Sequence, residues 1–381
     1  MNKKSGLELM RIISMIFIII YHIILHSGLE IVTVGGNKFL LLLLESFLIV
    51  HVNSFVLLTG YFQSDKEAKI SKVISIVNAT WFYKILCFIG ILLIVRYTSL
   101  PNGVEFTFYQ KLISILPLDR NENWYINCYL LVYIFSPYLN ALINKLSRKM
   151  LKKLIIVSFV VFSLVGTLVI GNVVPTYLEG RSMITIIFLY LIGAYLRKYP
   201  IEESRLFNTY KDKMKKYVFL AIYIVFSFII LVFRMTSLNM DYFGPAYDEI
   251  FEVFRLLSVS FLSPLIIISS ISYFLFFKNM NFSSKIINFI GGTVFGIYLL
   301  HENVYIRDNV YGWIHVIRYA NEGAKSILML IALGIVIFLI GMIIEIIRKG
   351  IYRFFYKRKF AEKLRNRIKD FIKSLGLNIN Y

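Results

Sequence analysis

The chain alternates between long apolar runs and short polar segments that are rich in lysine and arginine. A run of about 20 apolar residues is long enough for a helix to cross the hydrocarbon core of a bilayer. Runs near this length recur about ten times, so the pattern predicts an all-α, polytopic membrane bundle of about ten transmembrane helices. The predicted spans are 7–26, 39–62, 74–96, 124–143, 154–171, 182–197, 217–234, 254–276, 285–302 and 325–347.

Composition supports this class, since 58% of the 381 residues are hydrophobic and only 17% are charged. The formal net charge is nevertheless +20, because basic residues are concentrated between the apolar runs. In a membrane protein such an excess marks the cytoplasmic side of the bilayer, and we expect no nucleic-acid partner. The two cysteines, Cys87 and Cys128, lie in apolar surroundings, which argues against a disulfide framework or a thiolate metal site. No metal cofactor is expected.

The connecting segments differ in charge in a way that predicts topology. Segments after even-numbered spans are strongly basic, and the one after the fourth span holds Lys145, Arg148, Lys149, Lys152 and Lys153. Segments after odd-numbered spans hold few basic residues, and the one after the seventh span is acidic. Because basic segments stay inside, both termini are predicted to be cytoplasmic.

The chain divides into a membrane domain, residues 1–347, and a basic tail, residues 348–381. In the tail, apolar residues recur near helical spacing among many lysines and arginines. One interpretation is an amphipathic helix that lies on anionic membrane lipids, and the alternative is a solvated charged tail.

Arg11 and His22 stand out in the first span because the residues around them are almost all apolar. Eleven residues make slightly more than three helical turns, which places both side chains on nearly the same face, about 16 Å apart along the axis. Ionisable groups inside a membrane usually line a cavity or a substrate path. The structural alternatives are that Arg11 reaches back to the interface and that His22 packs against a neighbouring helix.

The chemistry of this pair favours an anionic ligand and a proton transfer. A guanidinium at the cytoplasmic mouth pairs well with phosphate, and an imidazole deeper in the membrane can act as a general base. The separation of about 16 Å is comparable to the pantetheine arm of coenzyme A. A coenzyme A phosphate near Arg11 would therefore place its thioester near His22.

Five motifs strengthen this hypothesis. They are an Arg and a His separated by ten residues (Arg11 and His22), VNSFVLLTGYF (Val52–Phe62), WYINCYLLVYIFSPYLN (Trp124–Asn140), FLYLIGAYLRKY (Phe188–Tyr199) and FGIYLLHENVYIR (Phe295–Arg307). In this order they resemble the acyltransferase-3 family of integral membrane O-acyltransferases, across essentially the whole chain. Thr59 stands where the family usually has serine.

The resemblance implies roles for four residues. Arg11 would orient acyl-CoA, His22 would be the catalytic base, and His301 would bind or activate the acceptor hydroxyl; the alternative for His301 is an interfacial anchor. Many family members also carry an R-x-x-R pair near the start of the third helix. This chain has WFYK (Trp81–Lys84) in that region, where Lys84 can at most substitute in acyl-CoA binding as a point charge.

The resulting expectation is a multi-pass O-acetyltransferase of the plasma membrane. It would move an acetyl group from cytosolic acetyl-CoA, its donor substrate, to a hydroxyl of a cell-surface polysaccharide or a lipid-linked glycan precursor. The alternative is a transporter or flippase of a lipid-linked sugar, in which the same charged residues only line a path.

Overall fold

The computed structural model describes residues 5–97, 124–168, 180–203, 210, 212–238, 247–307, 311, 314–356 and 367. Within these ranges the regular elements are helices, which confirms the all-α prediction. They are α1 (Gly6–Ser27), α2 (Leu29–Val32), α3 (Gly35–Leu48), α4 (His51–Gln63), α5 (Ile70–Tyr97), α6 (Trp124–Lys145), α7 (Arg148–Leu168), α8 (Met183–Lys198), α9 (Asp212–Ser237), α10 (Asp248–Val259), α11 (Pro264–Lys278), α12 (Lys285–Gly291), α13 (Val294–His301) and α14 (Ala324–Tyr356).

Eight helical stretches in the described part of the chain are long and apolar enough to cross a membrane. The two remaining predicted spans correspond to shorter helices. Span 182–197 is α8, with 16 residues, and span 285–302 is the pair α12 and α13. The polytopic bundle is therefore confirmed, while the sidedness of the termini stays a prediction.

Two further predicted spans contain a break. Span 39–62 is divided between α3 and α4 near Val50, and span 254–276 is divided between α10 and α11. The second break has a local cause: the hydroxyl of Ser263 caps α11 by accepting a hydrogen bond from the backbone N–H of Leu265. Pro264 occupies the first turn, where its missing N–H costs nothing. The serine–proline pair thus starts a new helix inside an apolar run.

The last helix crosses the predicted domain boundary, since α14 continues from Ala324 to Tyr356 without a break. Most of the predicted basic tail, namely 357–366 and 368–381, lies outside the described residues. The amphipathic tail helix therefore stays a prediction.

Helix α1 lies at the centre of the bundle and contacts α3, α4 and α11 to α14. Its side chains Met10, Ile19 and Ile23 are fully buried. The helix ends where Gly28 adopts a left-handed conformation, with φ of 69°, which glycine reaches without a steric penalty. This central position places Arg11 and His22 inside the bundle.

Helices α4 and α8 touch backbone to backbone. A Cβ atom on Gly193 would lie 2.2 Å from the carbonyl oxygen of Leu57, and one on Gly60 would lie 2.2 Å from that of Tyr190. These distances are far below van der Waals contact, so the crossing requires glycine at both positions. The contact fixes α4, which carries part of the cavity wall described below.

We therefore expect Gly193→Ala to lower the thermal unfolding temperature of the detergent-solubilised protein. Overpacking of this kind typically costs about 1–3 kcal/mol. The matched control is Gly90→Ala in α5, because no heavy atom lies within 4 Å of the added Cβ. There we expect no loss of stability, since alanine favours a helix over glycine by up to about 1 kcal/mol. Equal unfolding temperatures for the two variants would contradict the close contact between α4 and α8.

Candidate active site

A cavity of about 590 Å³ runs beside α1 and is bounded by α4, α5, α6, α12 and α13. Ligand-binding cavities usually measure about 300–1,000 Å³. Both Arg11 and His22 line it, as the helical spacing predicts. The cavity has two chemically different ends, here called the basic end (Arg11, Lys66 and Lys72) and the histidine end (His22 and Glu302).

Charge dominates the basic end. Arg11, Lys66 and Lys72 all line the cavity there, together with one acidic residue, Glu8. The Nη1 atom of Arg11 donates to Oε2 of Glu8 at 2.8 Å, one helical turn away. Three cations against one carboxylate leave an excess of positive charge, which suits a ligand that carries several negative charges.

Glu8 is 4% exposed and holds Arg11 in position. Its carboxylate fits because residue 291 is a glycine: a Cβ on Gly291 would lie 2.5 Å from Oε2 of Glu8. A fixed counter-ion orients the guanidinium plane before a ligand arrives. Glu8 was not predicted from the sequence, although an acid one turn before an intramembrane arginine is a recognisable pairing signal.

Lys72 was also not predicted from the sequence as a cavity residue. Lys84 was predicted to bind the donor instead. The third spanning helix begins at Ile70 rather than at 74, so the basic residues at its start are Lys69 and Lys72. Their spacing is that of an R-x-x-R pair. Lys84 is 2% exposed and is absent from the described residues that line the cavity. Its role in donor binding therefore stays a prediction without a contact to the cavity.

At the histidine end, the side chain of His22 contacts those of Glu302 and His301. The Nδ1 atom of His22 lies 2.7 Å from Oε2 of Glu302 and 3.2 Å from Nε2 of His301. On its other side, Nδ1 of His301 lies 2.8 Å from the backbone carbonyl of Ile297. Glu302 and His301 follow directly at the end of α13, so one helix end supplies both partners of His22.

These contacts assign the tautomers. A carbonyl oxygen can only accept, so His301 carries its proton on Nδ1 and presents the lone pair of Nε2 to His22. That lone pair needs a donor, so the proton of His22 is on Nδ1, which also lies 2.7 Å from Oε2 of Glu302. The Nε2 atom of His22 then carries the lone pair, on a residue that lines the cavity. An imidazole with this lone pair, and with a carboxylate beside its other nitrogen, has the chemistry that a general base requires.

His301 is 1% exposed and lies behind His22, outside the described lining of the cavity. Its contact with His22 is a feature of the structure, whereas its direct contact with an acceptor stays a prediction. Glu302 does line the cavity but was not identified from the sequence. The available signal was a carboxylate directly after His301, at the end of an apolar run.

Aromatic side chains form much of the remaining wall. Trp124 and Tyr125, at the start of α6, and Tyr298, on α13, all line the cavity. The Trp124 ring lies nearly parallel to that of Phe261, with centroids 6.0 Å apart and an interplanar angle of 20°. Such faces bind the apolar side of a ring-shaped ligand while polar groups direct its hydroxyls.

Together the two ends can hold a polyanion at one site and remove a proton at another, inside one cavity. A family model described as an acyltransferase domain, acyltransferase-3, matches residues 4–354 of the chain. Comparison with curated proteins and with solved structures gave no significant match.

Proposed function

Because the chain belongs to the acyltransferase-3 family, we propose that it transfers acetyl groups from cytosolic acetyl-CoA to hydroxyls of a cell-surface polysaccharide or lipid-linked glycan precursor. The match confirms the family resemblance inferred from the motifs. The protein is a multi-pass membrane acyltransferase. The acetyl donor, the glycan acceptor and the plasma membrane location are part of the proposal.

The observation that carries the proposal is one cavity with the basic end and the histidine end on the same central helix. Coenzyme A has charged phosphates at one end and its thiol at the other. With the phosphates at Arg11 and Lys72, the extended arm would bring the thioester to His22, since the two α1 residues are about 16 Å apart. Predicted cytoplasmic sidedness puts the basic end toward the cytosolic donor.

The chemistry at the histidine end is a direct acyl transfer. Nε2 of His22 takes the proton of the acceptor hydroxyl as its oxygen bonds to the thioester carbonyl carbon. The carbon–sulfur bond breaks, and the coenzyme A thiolate leaves with the proton that His22 returns. The carboxylate of Glu302, 2.7 Å from Nδ1, stabilises the imidazolium that forms between these steps.

The acceptor is proposed to be a sugar because of the aromatic wall. Trp124 and Tyr125 lie at the amino-terminal end of α6 and share the cavity with His22. A pyranose ring stacked on these faces would direct a hydroxyl toward Nε2 of His22. Family membership favours this transfer over the flippase alternative, in which the same residues would only line a path.

The proposal is tested with purified protein in lipid vesicles, radiolabelled acetyl-CoA, and surface polysaccharide or lipid-linked glycan from cells that lack the gene. We expect label in the glycan, released by mild base as an O-ester is. Cells without the gene should yield glycan that is lighter by acetyl groups in mass analysis. Unlabelled glycan together with efficient transport of the lipid-linked sugar would favour the flippase instead.

Donor binding gives a separate prediction at Arg11. A charge-assisted hydrogen bond is worth about 1.5–3 kcal/mol, so Arg11→Ala should weaken coenzyme A binding by about 10–100-fold. Arg11→Lys keeps the charge but loses the planar fork, and we expect an intermediate loss. Affinity is measured by calorimetry on detergent-solubilised protein.

Two controls separate this effect from misfolding. Arg255→Ala removes an arginine that pairs with Glu252 outside the cavity, and it should bind coenzyme A normally. Glu8→Gln combined with Arg11→Ala avoids leaving a buried carboxylate alone, and it should be as weak as Arg11→Ala. Unchanged affinity in Arg11→Ala would remove this arginine from the donor site and leave Lys66 and Lys72 as candidates.

A further inference from the structure

The end of the cavity that holds His22 also gathers the ligand atoms of a metal site. We propose that His22, His26 and Glu302 bind a divalent transition metal ion such as Zn²⁺, and that the bound ion switches off acyl transfer. The binding site is defined by its ligands alone; the inhibition rests on the proposed role of His22. The ion is an inhibitor here, not a cofactor of the reaction.

The geometry of the three ligands supports this site. His22 and His26 are four residues apart on α1 and therefore lie on one face, the spacing of many zinc-binding histidine pairs. Oε2 of Glu302 lies 2.7 Å from Nδ1 of His22 and 4.0 Å from Nε2 of His26. One donor atom from each residue falls within 4.8 Å of the others.

Small movements would complete the coordination. Zinc bonds of about 2.0–2.2 Å in a tetrahedron separate neighbouring donor atoms by roughly 3.3 Å, so the two distances to Oε2 of Glu302 each need a change of less than about 1 Å. A fourth donor is in reach, because Nε2 of His301 lies 3.2 Å from Nδ1 of His22 and carries a lone pair.

The surroundings hold these ligands in place. The His26 ring stacks on Tyr311, with an interplanar angle of 6° and centroids 6.1 Å apart. His301 is fixed through its hydrogen bond to Ile297, and Nη1 of Arg307 lies 3.8 Å from the second oxygen of Glu302. Outer contacts of this kind orient metal ligands and raise affinity. Imidazole with one carboxylate selects zinc-like ions over Mg²⁺ or Ca²⁺, which prefer oxygen ligands.

Inhibition follows from the number of lone pairs on an imidazole. A neutral ring has one proton and one nitrogen lone pair. If the metal binds Nδ1 of His22, the ring proton must sit on Nε2, the nitrogen proposed above to take the proton of the acceptor hydroxyl. His22 can then no longer accept the hydroxyl proton, and Glu302 is occupied by the metal instead of orienting His22.

The test uses purified full-length protein in detergent, with Co²⁺ as the spectroscopic probe and Zn²⁺ as the inhibitor. We expect one Co²⁺ per chain with the visible absorption of nitrogen-ligated cobalt, displaced by Zn²⁺. Acetyl transfer should fall at the Zn²⁺ concentrations that fill this site and return when a chelator is added. The proposal would be overturned if inhibition required Zn²⁺ concentrations far above the dissociation constant of this site. Activation of acyl transfer by the metal would also overturn it.

His26 supplies the variant that separates metal binding from catalysis, because it is not among the described residues that line the cavity. His26→Gln should keep transfer without metal within about twofold and lose more than about tenfold in metal affinity and inhibition. His315→Asn is the control at an exposed histidine outside the cluster, where φ of 51° suits asparagine, and it should stay fully inhibited.

Equal inhibition of His26→Gln and wild type would place the inhibitory ion elsewhere and end the proposal. The cobalt spectrum does not depend on transfer, so it distinguishes the two hypotheses. A normal spectrum in a protein without acyl transfer would contradict the proposed function and leave the metal site standing. Acyl transfer by a protein that gives no cobalt spectrum would contradict the metal site and leave the proposed function standing.

Discussion

Replacing His22 with asparagine is expected to lower acyl transfer per folded molecule by about 10²–10⁴-fold, the usual contribution of a positioned general base. The amide nitrogen of asparagine can occupy nearly the position of Nδ1 and donate to Glu302, whose Oε2 lies 2.7 Å from Nδ1 of His22. The variant has no atom in place of Nε2, so it removes the base without leaving a buried carboxylate unpaired. Transfer is measured with radiolabelled acetyl-CoA.

The control measurements separate catalysis from folding and from donor binding. Coenzyme A affinity should be unchanged, because the phosphates are proposed to lie about 16 Å away at Arg11. His315→Asn makes the same substitution at an exposed residue whose φ is 51°, a conformation that asparagine tolerates. It should leave transfer unaltered. Turnover of His22→Asn within a few-fold of wild type would end the assignment of His22 and make His301 the next candidate.

The central helix of the fold, α1, is predictable from the sequence alone. The apolar run 7–26 corresponds to Gly6–Ser27 because length and apolarity decide a membrane helix, and Gly28 provides a local stop. The break before α11 is harder to predict. Ser263 and Pro264 end one helix and begin another by capping, inside a run whose hydropathy does not change enough to show it.

The two ends of the site were predictable to different degrees. Arg11 and His22 are conspicuous because they are ionisable residues in an apolar helix. Lys72 was missed because the third span was placed from 74 onward, which assigned this lysine to a loop although the helix begins at Ile70. Helix boundaries are the least certain part of such predictions.

Glu302 was missed for a different reason. Its partner His22 is distant in the chain, and only the packing of α13 against α1 brings the two together. Helical periodicity predicts which face a residue occupies, but it carries no information about which other helix that face contacts. His301 was found because an imidazole is conspicuous in an apolar run, whereas Glu302 was the last residue of the predicted span 285–302 and was given no role.

The role of Glu302 yields the second large expected effect: Glu302→Gln should lower turnover by about 10²–10³-fold. A neutral amide does not stabilise the imidazolium that His22 becomes during transfer. The amide can also turn its NH₂ group toward Nδ1, which would move the ring proton to Nε2 and abolish the base. The KM for acetyl-CoA should stay near that of wild type, because the phosphates bind at Arg11.

A lower turnover with an unchanged KM distinguishes a role of Glu302 in orienting His22 from a purely structural role. Loss of a carboxylate that is 9% exposed removes a desolvated charge, so the unfolding temperature of Glu302→Gln should not fall. Glu302→Asp keeps the charge at a slightly longer distance and should recover part of the turnover. Glu322→Gln, at a surface acid paired with Lys325, is the matched control and should be fully active. If Glu302→Gln melted early with normal turnover per folded molecule, Glu302 would be a packing residue, and His22 would depend on His301 alone for its orientation.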